Sequence, residues 1–381
     1  MHRSRVSLAL ALATVASTAL ATVLSAPARA GHPTDQPTDP PWTTVASGLD
    51  NPRHLTFAGH SLYVAEAGRG GTGPCIEGPE GPDGPEVCFG LSGAITRVNH
   101  WGQERVVSGL PSLAEAEGTA AIGPSDVAAF SHHRYVATIG LGAPPEKRAT
   151  FGEAGAALGT VVTGHWWSGK PRVAADLAAY EEENDPDGNG PDSNPTGMLL
   201  ERWSAVVTDS GGNTLLRVKP GGKVETLAVF PDTDVPNPPF LPPGTTSMQA
   251  VPTSVVRGYD GAYYVSQLTG FPFPAGGSSI WRVVPGEEPT VWATGLTNVT
   301  DLAWYHGSLY AVQISAAGLL NEPEGALPTG SLVRIEKGKA PETVAEGLPA
   351  PYGVALRRGN AYVTTCAVCP GGGSVVSIDL W

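Results

Sequence analysis

The chain has 381 residues, with 23 Lys and Arg against 36 Asp and Glu, and a formal net charge of −13. That balance argues against nucleic acid and anionic membrane surfaces as partners, since both repel an acidic surface. With 49 Gly and 36 Pro, the composition points to many short strands joined by turns rather than to helices.

Residues 1–30 read as a Sec-type signal peptide. Arg3 and Arg5 precede an apolar run over 6–24, and Ala28-Arg29-Ala30 offers a small-x-small cleavage site after Ala30. The run is too short for a comfortable membrane anchor, there is no twin-Arg pair, and no later segment is long enough to span a bilayer. The expectation is a secreted, extracellular protein with no membrane insertion. Removing residues 1–30 takes away Arg3, Arg5 and Arg29 and no acid, so the mature chain is more acidic still. Residues 31–42 form a polar, Pro-rich and flexible lead. Residues 43–381 are expected to form one domain.

Within 43–381 a unit recurs six times. Its second strand is marked by Tyr63, Tyr135, Val206, Tyr264, Tyr310 and Tyr362, and its closing strand by Leu49, Leu110, Leu177, Phe230, Leu296 and Leu348. In the fifth unit four strands are predicted over 299–304, 308–313, 331–335 and 342–345, alternating and rich in β-branched and aromatic residues. The last unit lacks its closing strand, and a spare one, Val45-Ala46-Ser47-Gly48-Leu49, stands at the front. An array completed by its own N-terminal strand is a ring. The predicted fold is therefore all-β, a six-bladed β-propeller of four-stranded antiparallel blades.

Turns between first and second strands are tight, and those between third and fourth strands are mostly short. The long insertions fall after second strands (67–91, 140–157, 268–278, 315–329) or between blades (111–123, 178–195, 231–251). In antiparallel blades alternate turns lie at opposite ends, so these loops project from one face. Insertions confined to one face mark a binding side.

Several segments carry a family resemblance: Ser47-Gly48-Leu49-Asp50-Asn51-Pro52-Arg53-His54-Leu55, Pro186-Asp187-Gly188 with Asp192-Ser193-Asn194-Pro195, Leu268-Thr269-Gly270-Phe271-Pro272-Phe273-Pro274, and Cys366-Ala367-Val368-Cys369. Together they resemble the ScyD/ScyE family, exported six-bladed propellers similar to NHL-repeat proteins. The resemblance covers nearly all of the mature chain. It implies the fold and export, and brings no catalytic residues with it.

Two polar columns are expected around the channel mouth on the loop-rich face. At the starts of the innermost strands lie Arg53/His54, Ser125/Asp126, Thr196/Gly197, Thr253/Ser254, Thr300/Asp301 and Tyr352/Gly353. At the ends of the second strands lie Glu66, Thr138, Asp209, Gln267, Gln313 and Thr365. Such residues either satisfy loop bases and backbone groups or form a ligand-contacting ring. Glu66, Asp126, Asp209 and Asp301 offer oxygens to calcium in the manner of lactonase-type propellers, although Arg53-His54 stands where those enzymes place a Glu. A quinone-dependent sugar dehydrogenase would want a catalytic His and several Arg or Lys, in which the long loops are poor.

The segment Asp185-Pro186-Asp187-Gly188-Asn189-Gly190 places oxygen ligands at positions one, three and five and Gly at six, as in an EF-hand loop. Position twelve is Thr196 rather than Glu, with Asp192 and Asn194 available instead. The alternative is a solvated acidic turn. Cys75, Cys88, Cys366 and Cys369 are expected to form disulfides in an exported protein. Local bridges are simplest, while crossed bridges would clamp the seam of the ring and a four-Cys zinc site is geometrically possible. Phe271 and Phe273, fixed by prolines, form either an exposed apolar ledge or a cover over the channel mouth.

Two readings of function follow. The first is a monomeric, non-catalytic binding or scaffold propeller that uses its long-loop face (Arg53, His54, Glu66, Asp126, Asn194, Asp209, Gln267, Phe271, Phe273, Asp301, Gln313) for a small molecule, glycan or protein. The second is a calcium-dependent lactonase or esterase at the channel mouth. Calcium, at Asp185, Asp187, Asn189 and Asp192, is the only cofactor expected.

Overall fold

Six runs of alternating apolar and polar residues fold into six four-stranded antiparallel sheets, as strands with one buried position in two must do. In the computed structural model, residues 40–380 are described except for 80, 82, 83, 132, 168, 169 and 324. Residues 1–30, read above as a signal peptide, and most of the Pro-rich lead lie outside the described residues.

Counting outward from the axis, blade one holds Pro52–Ala58, Ser61–Glu66, Glu86–Asn99 and Gly102–Ala114. Blade two holds Pro124–Ser131, Arg134–Ile139, Thr160–His165 and Arg172–Asp176. Blade three holds Pro195–Leu200, Ala205–Asp209, Thr214–Val218 and Val224–Val229. Blade four holds Pro252–Arg257, Tyr263–Gln267, Ser278–Val283 and Thr290–Leu296, and blade five Val299–Tyr305, Ser308–Gln313, Thr329–Ile335 and Glu342–Pro349. Blade six takes Val354–Arg357, Asn360–Thr365 and Gly373–Asp379 from the C-terminus and Trp42–Leu49 from the N-terminus. Trp42 pairs with Ile378 and Leu49 with Gly373, antiparallel, so the N-terminal strand completes the last blade.

The core is divided among the blade interfaces. Six buried apolar clusters each join one neighbouring pair of blades, including the closing pair, where Leu49, Val375 and Ala355 of blade six meet Leu55, Leu62 and Val64 of blade one. Tyr63 of blade one stacks on Trp166 at the edge of blade two, with centroids 4.4 Å apart. Innermost strands approach closely where a side chain is missing. A Cβ on Gly197 would stand 2.5 Å from the Thr253 carbonyl oxygen, and one on Gly353 2.6 Å from that of Arg53.

The insertions carry more order than their composition suggests. Residues 67–91 contain the strand Cys75–Glu77 and the start of the third strand of blade one, and Cys75 stands directly opposite Cys88. Both disulfides are local, Cys75–Cys88 and Cys366–Cys369, so the crossed bridges and the zinc site are not formed. Leu177 does not close a strand; it begins the α-helix Leu177–Asn184, capped by the Asp176 side chain on the Ala179 N–H. Arg148, from the 3-10 segment Pro145–Gly155, grips the same Asp176 with two nitrogens at 2.7 and 2.8 Å. Residues 231–251 fold as the hairpin Thr233–Pro236 with Thr245–Met248.

Candidate functional site

Four innermost strands begin at a proline (Pro52, Pro124, Pro195, Pro252), and five show a register shift in their first residues. These irregular starts turn polar side chains and free backbone groups toward the axis. His54 is buried there, its Nδ1 3.1 Å from the Ser125 carbonyl oxygen and its Nε2 3.2 Å from that of Thr300. Blades two and five then use one device twice. Asp126 accepts the N–H of Val127 (2.6 Å) and of Met198 in the next blade (2.7 Å). Asp301 accepts the N–H of Leu302 and, from the next blade, of Val354, both at 2.7 Å, and the Ser254 hydroxyl at 2.6 Å.

His54 Nε2 also lies 3.7 Å from Asp301 Oδ1. Burial opposes protonation of the imidazole, but the carboxylates of Asp301 and Asp126 and the two carbonyls outweigh it, so the His54 pKa lies above its ordinary value. Burial pushes the Asp126 carboxyl up to about 6, with His54 pulling against it and Asp301 adding to it. Burial also raises Asp301. The axis is thus filled by a connected polar plug.

The second column has another task. Glu66 accepts the Asp50 N–H (2.7 Å), the Thr96 hydroxyl and Arg105, whose nitrogens stand at 2.6 and 3.1 Å. Asp209 accepts from Asn194 N (2.6 Å), Ser193 Oγ (2.7 Å) and the N–H groups of Gly211 and Gly212. Gln313 accepts from Thr297 N at 2.6 Å, and Gln267 from Ser279 N and Trp281 Nε1. These side chains anchor linkers and loop bases. Of the residues expected in one ring, the structure gathers His54, Ser125, Asp126, Ser254, Thr300, Asp301 and Tyr352 with Arg53 beside them, and ties Glu66, Asp209, Gln267 and Gln313 into loop bases instead.

On the long-loop face a cleft of about 250 Å³ opens between the 67–91 and 111–123 segments, lined by Arg53, Pro79, Val87, Glu115, Ile122 and Asn194 among others. Arg53 donates to the Ala121 carbonyl oxygen at 2.6 Å and lies 4.7 Å from the Tyr352 ring centre. Burial lowers its pKa. Among the described residues no carboxylate forms an ion pair with it. Phe271 and Phe273 pack edge to face, and Phe240, from the 233–248 hairpin, joins them with its centroid 6.3 Å from that of Phe271. Phe240 carried no motif; only its place in an insertion on the same face hinted at it.

The acidic loop gathers differently from an EF-hand. Ligand oxygens of Glu181, Asp185 and Asp187 all lie within 4.8 Å of one another. Asn189 folds back to donate to Asp187, and Asp192 packs against Gly211 rather than joining the three. Burial first, then the carboxylates of Asp209, Asp187, Asp185 and Asp192, push the Glu181 carboxyl up to about 8. Glu181 was missed in the sequence as a ligand. The available signal was its place four residues after Leu177, on the same helix face.

A larger cleft of about 600 Å³ lies on the opposite, short-turn face between blades four and five, where Tyr259, Trp292, Trp304 and Tyr264 surround the Arg282–Asp260 pair. Tyr259 is 78% exposed.

No family model and no curated protein matches the chain. Among solved structures it is similar to a glucose dehydrogenase (TM-score 0.48, 14% identity, covering 89% of this chain and 99% of that one). It is also similar to the PQQ-bound aldose sugar dehydrogenase of Streptomyces coelicolor (0.44, 13%, 88% and 96%). A catalytically inactive virginiamycin B lyase from Staphylococcus aureus with quinupristin gives 0.37, 10%, 89% and 98%. None of these likenesses bears on activity.

Proposed function

We propose that the protein is an exported, non-catalytic binding propeller that holds a small anionic molecule with an apolar body in the cleft on its long-loop face. The observation that carries this reading is Arg53. In a strongly acidic chain, one guanidinium lies against the cleft with a single hydrogen bond to a carbonyl and no described carboxylate partner. Prolines, Val87 and Ile122 supply apolar walls, and Asn194 a further polar group, the usual composition of a small-molecule site. Two disulfides suit an oxidising compartment, in keeping with the ScyD/ScyE resemblance.

The hydrolase reading draws less support. Asp126 and Asp301 each spend both carboxylate oxygens on backbone N–H groups, and Glu66 and Asp209 are tied into loop bases. The test is calorimetry with benzoate and indole-3-acetate against their neutral amides. Saturable binding of the acids, lost in Arg53→Gln, is expected; equal binding of acids and amides, or binding unchanged in Arg53→Gln, would overturn it.

The short-turn cleft favours a second reading. Exposed aromatic faces beside a paired Asp and Arg suit the apolar face and hydroxyls of a sugar, so this cleft is a candidate glycan site. Quenching of tryptophan fluorescence by oligosaccharides, abolished in Tyr259→Ala, would support it, and an unaltered emission across a glycan panel would remove it.

A further inference from the structure

The helix Leu177–Asn184 turns one face inward, burying Leu177, Ala178 and Glu181. Two of these are apolar and suit the position. The third is a carboxylate with 0% of its surface exposed, and neither of its oxygens has a hydrogen-bond partner. Gly212, in the turn between the second and third strands of blade three, leaves room for it: a Cβ there would come 2.6 Å from Glu181 Oε2. A buried carboxylate without donors is costly unless a charge of opposite sign meets it. Among the described residues no Lys or Arg pairs with it. What meets it instead is more acid, the side chains of Asp185 and Asp187.

The neighbourhood holds those acids in place. Asp185 takes a left-handed conformation (φ 39°) at the end of the helix, and its Oδ1 accepts the Gly190 N–H at 3.1 Å. Asp187 Oδ2 accepts from Asn213 Nδ2 at 2.9 Å. Asp209 already has its four donors and stands behind the cluster. Three carboxylates from a helix and the irregular loop after it form a flexible all-oxygen donor set, which suits calcium better than the strict octahedron of magnesium.

We infer that Glu181, Asp185 and Asp187 form a calcium site that ties the 177–190 segment to the 210–213 turn of blade three. The position-twelve ligand of an EF-hand is replaced by a carboxylate from the helix that enters the loop. This inference is independent of the Arg53 cleft and of any catalytic reading.

The experiment is calcium titration of the chelator-treated, oxidised full-length protein by calorimetry, with thermal melts in calcium, in magnesium and in chelator. One saturable calcium site is expected, with a rise in Tm that chelator reverses and magnesium reproduces only weakly. Glu181→Gln keeps the side-chain shape and removes the cost of holding an acid in a buried, acidic site, so in chelator it should melt above the wild type while losing the calcium shift. Asp187→Asn, nearer the surface, should weaken calcium binding by roughly tenfold or more with little change in chelator. Absence of calcium binding in the wild type, or a full calcium shift retained by Glu181→Gln, would overturn the inference.

Discussion

The imidazole of His54, carried by blade one, stands 3.2 Å from the carbonyl oxygen of Thr300 in blade five. Its other nitrogen faces the Ser125 carbonyl of blade two at 3.1 Å. A neutral imidazole has one N–H to give, and only the imidazolium can donate to both acceptors. The raised pKa favours that form, in which His54 ties three blades across the axis with Asp301 3.7 Å away as counter-ion.

That geometry sets a pH dependence. The folded-state pKa of His54 is raised, so its contribution to stability is complete below the unfolded value of about 6.5 and is lost as pH rises through the folded value. Asp126 acts in the same direction at lower pH, since a carboxyl raised to about 6 loses stability between its ordinary value and that pH. Arg53 stays charged in this range, and burial pushes the Tyr352 phenol upward and out of it. The melting difference between wild type and His54→Asn should be largest at acid pH and shrink toward alkaline pH. A difference that is flat with pH would show that His54 is neutral.

Asp301 joins three blades through one carboxylate. Asp301→Ala strands the buried Val354 and Leu302 N–H groups and the Ser254 hydroxyl, at about 1–3 kcal/mol for each group left without water or a partner. The expected loss in urea unfolding is several kcal/mol, and Asp126→Ala, with two N–H groups stranded, should lose less. Equal and small losses would mean that water enters the plug and replaces the carboxylates.

The ring was legible because each blade repeats the same alternation, and the N-terminal Val-Ala-Ser-Gly-Leu could be matched with the missing closing strand. The two polar columns were legible as columns, but their division was not. Which partner takes a carboxylate depends on segments distant in sequence: Glu66 meets Arg105 on the outer strand of its own blade, thirty-nine residues away, and Asp209 is filled by Ser193 and Asn194 from the linker before blade three. The acidic loop was visible as an EF-like string, whereas Glu181, the first of three consecutive glutamates before it, carried no ligand signal of its own. Only the helix, too short and too mixed to announce itself, turns that residue inward.

An ion-pair network of two buried acids and two exposed arginines anchors blade one near the seam. Arg105 reaches Asp50 at 2.8 Å and Glu66 at 2.6 Å, and Arg69 also holds Asp50. Both acids are buried while Arg105 is partly exposed. Removing the cation leaves Glu66 with the Asp50 N–H and the Thr96 hydroxyl alone. Arg105→Met should destabilise by about 1–3 kcal/mol, because water screens the exposed guanidinium, and the double variant Arg105→Met with Glu66→Gln should recover part of that. If the double variant is no better than the single one, Arg105 acts through packing rather than charge.

The two disulfides should differ in value. Cys75–Cys88 spans 13 residues and staples the short strand Cys75–Glu77 to the third strand of blade one, whereas Cys366–Cys369 spans three. In the chain-entropy model the longer loop gives about 3 kcal/mol and the shorter about 2. The longer bridge also holds part of the wall of the Arg53 cleft, because Val87 pairs with Ile76 one residue from the bond. Replacing Cys75 and Cys88 by serine should therefore lower stability more than replacing Cys366 and Cys369, and should also weaken ligand binding in that cleft. Paired chemical denaturation and binding titrations check both effects. Loss of stability with unchanged binding would show that the cleft wall is held by its strand pairing alone.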